Sequence, residues 1–429
     1  MKPVRVAIAG LGTVGAGVVK LLREHASLIE ARAGRPITVV AVSARDPGRD
    51  RGISLDGLPW YDDPEAMAQK ADADIFAELI GGEGGVALAG CKAAIARGLH
   101  VVTANKAMLA RHGTALAAAA EARGVSLAYE AAVAGGIPII KALREGLAAH
   151  EVSQIYGILN GTCNYILTTM QKSGRDFAEV LAEAQALGYA EADPAFDIDG
   201  IDTANKLAIL TSLAFGTPVD IDGVHVEGIR HVSALDITYA EELGYRIKLL
   251  GIARRTEQGI EQRVHPCMVP LTSPIAPVDG VFNAVVAEGD FVGRSVYEGR
   301  GAGGGPTASA VVADLIDIAC ERRVPTFGVP ASRLRALPTI PMESRRGAYY
   351  IRLNVVDQSG VFADVAGILR DENVSMEAIL QRGRAPGETV PVVMTVHDTM
   401  ESSMIRAVNR IAGMPAVVDS PRVIRIEAL

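Results

Sequence analysis

The feature that most restricts this chain comes at its start. The apolar run Val4 to Ala9 leads into Gly10-Leu11-Gly12-Thr13-Val14-Gly15 and then into a helical pattern from Ala16 to His25. A β-rich run, a glycine turn and a helix in that order predict a strand-turn-helix unit. Glycine at 10, 12 and 15 lets the chain turn tightly, lets backbone amides approach a pyrophosphate and lets the helix pack closely on the strand. The helix N-terminus then faces the phosphate charge. Because the motif follows a strand and opens a helix, we read it as a dinucleotide-binding turn.

The following 120 residues extend that reading. Apolar strands are expected at Ile37 to Ser43, Ile75 to Leu79, Leu99 to Val102 and Ser126 to Tyr129, alternating with alanine-rich helices. Such alternation predicts a parallel sheet covered on both faces. The second strand ends in Ser43-Ala44-Arg45-Asp46, where Arg45 can pair with a ribose 2′-phosphate and favours NADP, while Asp46 leaves NAD open. Lys106 follows Val102-Thr103-Ala104-Asn105 at the carboxyl edge of the sheet, where ligands of open α/β sheets bind. A surface lysine at a helix start is the alternative.

Length and composition bound the rest. A chain of 429 residues exceeds one hydrophobic core, and we expect three domains. Hydrophobic residues at 49% and charged residues at 21% suit an α/β enzyme, not a disordered chain. A net charge of −8 without a basic block argues against nucleic-acid or anionic-lipid partners. No signal-peptide core or membrane-length apolar run is evident, so a cytoplasmic protein is expected. Cys91, Cys163, Cys267 and Cys320 are far apart, which argues for reduced thiols and against a disulfide framework or zinc site.

Beyond residue 150 the chemistry-bearing residues gather. In Asp199-Gly200-Ile201-Asp202-Thr203-Ala204-Asn205-Lys206, Asp202 and Lys206 are four apart and share one helix face. That helix continues almost wholly apolar to Phe215, so it is expected to be buried with its polar first turns open to a cleft. A lysine in such a cleft can exchange a proton with an alcohol or alkoxide while the carboxylate orients the hydroxyl. The acidic loop from Gly188 through Tyr189, Glu191, Asp193 and Asp197 can hold an ammonium group, or is acidic only because it is wet. Gly301 to Thr307, which includes Gly303, is a second glycine turn before an apolar helix, placed to close over the cofactor or to act as a hinge.

The final 80 residues read as strand (Tyr349 to Val355), helix (Phe362 to Glu372), strands either side of Gly387, helix (Ser403 to Ala412) and strand (Val423 to Ile426). That is a βαββαβ arrangement. Pro325, Pro330, Pro338 and Pro341 mark the preceding segment as a linker.

Gly10 to Gly15, Val102 to Lys106, Gly157-Ile158-Leu159-Asn160-Gly161-Thr162, Gly188 to Pro194 and Asp199 to Lys206 together closely resemble the homoserine dehydrogenases, in order and spacing, and the segment from Tyr349 resembles an ACT domain. The resemblance implies an α/β protein with a Rossmann-type NAD(P)-binding domain (1–150, with a return helix at about 304–321). An α+β substrate-binding and dimerisation domain (151–325), a linker (326–347) and an ACT regulatory domain (348–429) follow. It implies reversible reduction of L-aspartate 4-semialdehyde to L-homoserine in threonine and methionine biosynthesis. Lys206 then matches the proposed proton donor, Asp202 the partner of the substrate hydroxyl, and Lys106 a second active-site lysine. Glu191, Asp197, Tyr189 and Thr162 match substrate-pocket positions. Gly10, Leu11, Gly12, Thr13, Val14, Gly15, Arg45, Lys106, Gly188 and Gly303 are the expected cofactor-binding residues.

Glu130, Val133, Gly135 and Ile137 are similar to a monovalent-cation loop expected to hold sodium, an assignment that rests wholly on the resemblance. Asp357 to Ala363 is similar to an effector loop, with threonine the expected effector, and a homo-oligomer, dimer or tetramer, is implied. Two rivals stay open at this point. One is a non-catalytic dinucleotide and amino-acid sensor. The other is a dehydrogenase of a related semialdehyde, which in its phosphorylating form needs an activated cysteine. A preceding kinase region is not expected in a chain of this length.

Overall fold

The structure, a computed structural model, describes residues 2–381 and 387–429. The first sheet is parallel throughout, with strands β1 (Val4–Ala9), β2 (Ile37–Ser43), β3 (Trp60–Tyr61), β4 (Ile75–Glu78), β5 (His100–Thr103) and β6 (Leu127–Ala128) in the order β3-β2-β1-β4-β5-β6. Helices α1 (Thr13–Glu24), α2 (Ala26–Ala33), α3 (Pro64–Lys70), α4 (Gly85–Arg97) and α5 (Lys106–Ala122) connect the strands and cover the sheet. Alternation along β1 explains the two layers. Ala7 and Ala9 join the core with Phe76 and Leu109, whereas Val6 and Ile8 join the core with Val18 and Val311. The chain leaves β1 toward β2 on one side and reaches β4 on the other, so a crevice opens at the carboxyl ends of β1 and β4. The pair β3 and α3 was not anticipated, because the stretch 46–73 has little apolar period. Its helix is set by local chemistry, with Asp63 accepting from the amides of Glu65 and Ala66, and Pro64 at the first helical position.

The middle of the chain supplies α6 (Ile139–Lys141), β7 (Val152–Ile158), α7 (Gly161–Ser173), α8 (Phe177–Ala186), α9 (Ala195–Ile198) and α10 (Ile201–Phe215). After these come β8 (His225–Val226), α11 (Ala234–Glu242), β9 (Tyr245–Thr256), β10 (Gly259–Pro270), β11 (Phe282–Gly289), β12 (Gly293–Arg300) and α12 (Gly304–Ala319). Helix α10 is buried along nearly its whole length, as its apolar composition requires. Helix α12 returns to the first sheet and lies against α1 so closely that a Cβ on Gly17 would stand 2.9 Å from the Gly304 carbonyl.

The proline-rich segment forms only short 3-10 turns at Ala331–Arg333 and Met342–Ser344, yet it is tied down. The Thr326 carbonyl accepts from the Tyr129 hydroxyl, the Ala331 amide donates to Glu121, and Thr339 bridges to Ile260. The last unit contains β13 (Arg346–Val356), α13 (Val361–Asp371), β14 (Met376–Gln381), β15 (Thr389–Met400), α14 (Glu401–Ala412) and β16 (Arg422–Ile426), the βαββαβ order expected. Strand β13 starts earlier than its apolar run because Arg346 and Gly347 pair with Met400 and Thr399. This unit does not keep a sheet of its own. Strand β16 runs parallel to β10, with Cys267 opposite Arg425 and Met268 opposite Ile426, giving one continuous sheet in the order β12-β11-β7-β9-β10-β16-β13-β15-β14.

Candidate active site

The glycine turn opens onto a cavity of about 1040 Å³ lined by Gly10, Leu11, Gly12, Arg45 and the segment Leu79 to Gly82. Each glycine meets a different constraint. Gly10 has a φ of +98°, and a Cβ there would stand 2.4 Å from the Leu79 carbonyl oxygen. A Cβ on Gly15 would stand 2.0 Å from the Gly10 carbonyl oxygen, whereas Gly12 faces open space. Gly12 starts α1 with no side-chain cap, so Thr13 and Val14 begin a helix whose first amides are left to a ligand. Gly303, at +121°, precedes α12 and brings Gly304 against the Thr13 methyl, which places the second glycine turn beside the first. Arg45 lines the cavity together with Arg49 and Arg51, two residues the sequence reading did not single out. Arg51 is held by the Leu11 carbonyl at 3.2 Å and lies over the Trp60 ring. Gly188 lies apart from the residues lining this cavity; at a φ of +75° it turns the chain after α8.

A second cavity, of about 360 Å³, shares Gly81 and Gly82 with the first and is lined by Lys106, Phe196 and Ile201. Here α5 and α10 meet. The Asp202 carboxylate takes the Lys206 ammonium at 2.6 Å on one oxygen and lies 3.3 Å from the Lys106 ammonium on the other. Lys206 also donates to the Leu159 carbonyl at 2.7 Å. Asn160 donates to Asp202 at 2.9 Å and to Asp197 at 2.8 Å. The two lysines differ in exposure, with the Lys206 side chain 9% exposed and Lys106 35%, so Lys106 is the one that faces the cleft. Burial pushes the Asp202 carboxyl up, but the Lys206 and Lys106 charges with the hydrogen bonds from Lys206 and Asn160 outweigh it and hold it at about 2. Asp197 is pushed up, by burial first and by the Asp202 charge next. The segment 188–197 reaches this centre at its end, where Phe196 lines the second cavity and Asp197 bonds Asn160. Thr162 donates to the Tyr189 carbonyl at 2.8 Å, the Tyr189 ring packs on Tyr165, and Gln185 holds the Glu191 carbonyl while the rest of Glu191 is exposed.

Three family models cover this architecture: the homoserine dehydrogenase NAD binding domain at residues 10–130, homoserine dehydrogenase at 138–316 and the ACT domain at 349–413. The chain is 46% identical to the homoserine dehydrogenase of Pseudomonas aeruginosa and 45% identical to that of Neisseria gonorrhoeae, in each case over all of both chains. This chain belongs to the homoserine dehydrogenases. The crystal structure of a homoserine dehydrogenase from Thiobacillus denitrificans superposes with a TM-score of 0.94 at 47% identity, covering 100% of this chain and 99% of that one. A hyperthermophilic archaeal homoserine dehydrogenase in complex with NADPH matches 75% of this chain and 99% of its own, with a TM-score of 0.65 at 26% identity. The α/β fold, the NAD(P)-binding Rossmann sheet, the ACT domain and the oxidoreductase class expected from the sequence are therefore borne out. Among the described residues no helix is long and apolar enough to cross a membrane.

The loop from Glu130 to Ile137 lies along α12, with Gly135 against Thr307 and Glu130 bonded to Asp314. The Glu130 carboxylate, 2% exposed, accepts from the Ile140 and Lys141 amides at 2.9 Å each, and its own amide donates to Asp314. Burial, then the Asp314 charge, pushes the Glu130 carboxyl up to about 7. The Gly135 amide donates to the Gly301 carbonyl, and the turn at Ala134, at a φ of +49°, lies between Val133 and Ile137, both buried. Cys163 is buried beneath the site, where its thiol donates to the Asp197 carbonyl and burial pushes it well above the usual range. It is no activated nucleophile, which removes the phosphorylating rival. Asn160, which bonds both carboxylates, was named in the sequence reading only within the run Gly157 to Thr162. Its one legible signal was an N-cap position, since it accepts from the Cys163 amide.

Proposed function

We propose that this chain reversibly reduces L-aspartate 4-semialdehyde to L-homoserine, a step toward threonine and methionine. The observation that carries the reading is the buried Asp202 held between Lys206 and Lys106 where the cofactor crevice meets the second domain. A bound NAD(P)H supplies the hydride that the aldehyde carbon receives. The cavity over Gly10 to Gly15 fits a dinucleotide, with uncapped amides at the start of α1 for the pyrophosphate. Arg45, Arg49 and Arg51 favour a 2′-phosphate and hence NADP.

The chain's own residues manage the oxygen. An ammonium has three N–H donors, and Lys206 uses two, on Asp202 and the Leu159 carbonyl. The third is available to the carbonyl oxygen, which becomes the hydroxyl when it takes that proton. Lys106, nearer the cleft, stabilises negative charge growing on the same oxygen. Asp202 orients the hydroxyl in the reverse direction, and Asp197, Glu191, Tyr189 and Thr162 bound the amino-acid end of the substrate.

The donor set at 130–137, one carboxylate and the carbonyls of Val133, Gly135 and Ile137, suits sodium, with a structural role. We assign Asp357 to Ala363 as an effector loop for threonine; Gln358, Ser359 and Gly360 are exposed at the start of α13. The working unit in this reading is a homo-oligomer in the cytoplasm.

The deciding test follows reduced-cofactor absorbance with L-homoserine and either NAD or NADP, in wild type, Lys206→Ala and Asp202→Ala. Turnover by wild type and its loss in both variants, with cofactor binding retained, supports the reading. A wild type that binds cofactor but leaves homoserine and the semialdehyde untouched overturns it in favour of a sensor.

A further inference from the structure

The turn Leu159-Asn160-Gly161 between β7 and α7 touches every charged group of the centre except Lys106. The Leu159 carbonyl accepts from Lys206, the Asn160 side-chain amide donates to Asp197 and Asp202, and Cys163, the third residue of α7, donates to the Asp197 carbonyl. The turn is itself clamped. A Cβ on Gly161 would stand 2.8 Å from the Val281 carbonyl oxygen, and one on Gly157 2.3 Å from that of Ala284. Asn164, a turn further along α7, donates to the Val278 and Phe282 carbonyls.

We propose that Asn160 is a positioning residue of this active site: its two N–H groups hold Asp197 and Asp202 side by side and set the rotation of the Asp202 carboxylate. The proposal rests on the reading above. An amide nitrogen has two hydrogens, and here each goes to a different buried carboxylate. Because the Asp202 oxygen that accepts from Asn160 also accepts from Lys206, its other oxygen, buried and without a hydrogen-bond donor, is left directed to the Lys106 side of the cleft. Two carboxylates sharing a site repel one another, and a neutral double donor between them lowers that repulsion without adding a charge. The upward push on Asp197 from the Asp202 charge is the repulsion this amide opposes. Asn160 is 4% exposed and is buried behind the carboxylates, so it acts through them.

The two duties of this side chain can be separated. Its carbonyl oxygen caps α7 and its nitrogen serves the carboxylates. Asp and Ser cap helices about as well as Asn, so Asn160→Asp and Asn160→Ser keep the cap and remove the double donor. Both variants are expected to stay folded by circular dichroism and to bind NADP as wild type does. We expect kcat/KM for homoserine to fall by about 10- to 100-fold, the scale of a small misplacement of reacting groups, mostly in kcat. The acidic limb of the pH profile should move to higher pH, further in Asn160→Asp than in Asn160→Ser. A second measurement needs no turnover: in carboxyl carbon-13 titrations the Asp197 and Asp202 midpoints should rise in both variants. Folded variants with wild-type kcat, KM and titration midpoints would overturn the proposal and leave Asn160 a helix cap. If the midpoints move but wild type itself fails to oxidise homoserine, the positioning role stands and the substrate assignment falls.

Discussion

A carboxylate removed from water costs several kcal/mol unless charges and donors replace the solvent, and two carboxylates of this chain meet that cost differently. Asp202 is surrounded by Lys206, Lys106 and Asn160, stays ionised and can serve chemistry. Glu130 is as deeply buried but accepts from two backbone amides, with the buried Asp314 carboxylate beside it. Lys141 is spent on Asp314 and Asp317. The sodium proposed at 130–137 would remove that imbalance. We therefore expect the melting temperature to rise when choline chloride is replaced by sodium chloride at equal ionic strength. The gain is about 2.7 kcal/mol at a hundred-fold excess over Kd, and Glu130→Gln should abolish it. Equal melting curves in the two salts would sink the sodium assignment. Residue identity alone could not reveal this, because the donors expected beside the carboxylate are backbone carbonyls.

At the scale of elements, what was legible followed from local rules. The glycine turn, the amphipathic helices of the C-terminal unit and the apolar α10 carry their structure in their own residues, and they form where the sequence places them. The pairing of β16 with β10 was not legible, since five residues of alternating pattern fit any sheet edge. A charged network accompanies that pairing. Arg425 joins Glu227 and Glu401, while Glu427 takes Arg263 and Arg345 beside the fully buried His265. Burial pushes His265 down to about 4, and Glu227, despite its burial, is held at about 2 by His225 and Arg425. As pH falls below 6.5 the unfolded chain protonates its histidine before the folded one does. Below 4.5 it likewise protonates its glutamate first, so stability is lost across both windows. Calorimetry should show the melting temperature of wild type falling relative to that of His265→Asn between pH 6.5 and 4, a comparison in which the opposite contribution of Glu130, whose carboxyl is pushed up to about 7, cancels. Parallel pH profiles of the two proteins over that window would contradict this.

The second of the two sheets joins the middle of the chain to the C-terminal unit and ends at β12, an edge strand with alternating exposed residues. Phe291, 88% exposed, sits at the β11-β12 turn near Val292 and Val296, an apolar patch that a second copy of the chain would cover. Light scattering should give a mass of at least twice 44.9 kDa for wild type and a shift toward the monomer for Phe291→Asp combined with Val296→Asp. A monomeric wild type would remove the oligomer from the proposed function. The sequence by itself determined the parallel dinucleotide sheet, the βαββαβ unit and the pairing of Asp202 with Lys206, because each depends on neighbours within a turn or on a regular apolar period. Only the tertiary structure decided that Lys106 reaches Asp202 from a different domain, that Asn160 bridges two carboxylates 37 and 42 residues away, and that the C-terminal unit extends the central sheet. Those contacts depend on distances between segments far apart in the chain, which packing sets and no local pattern encodes.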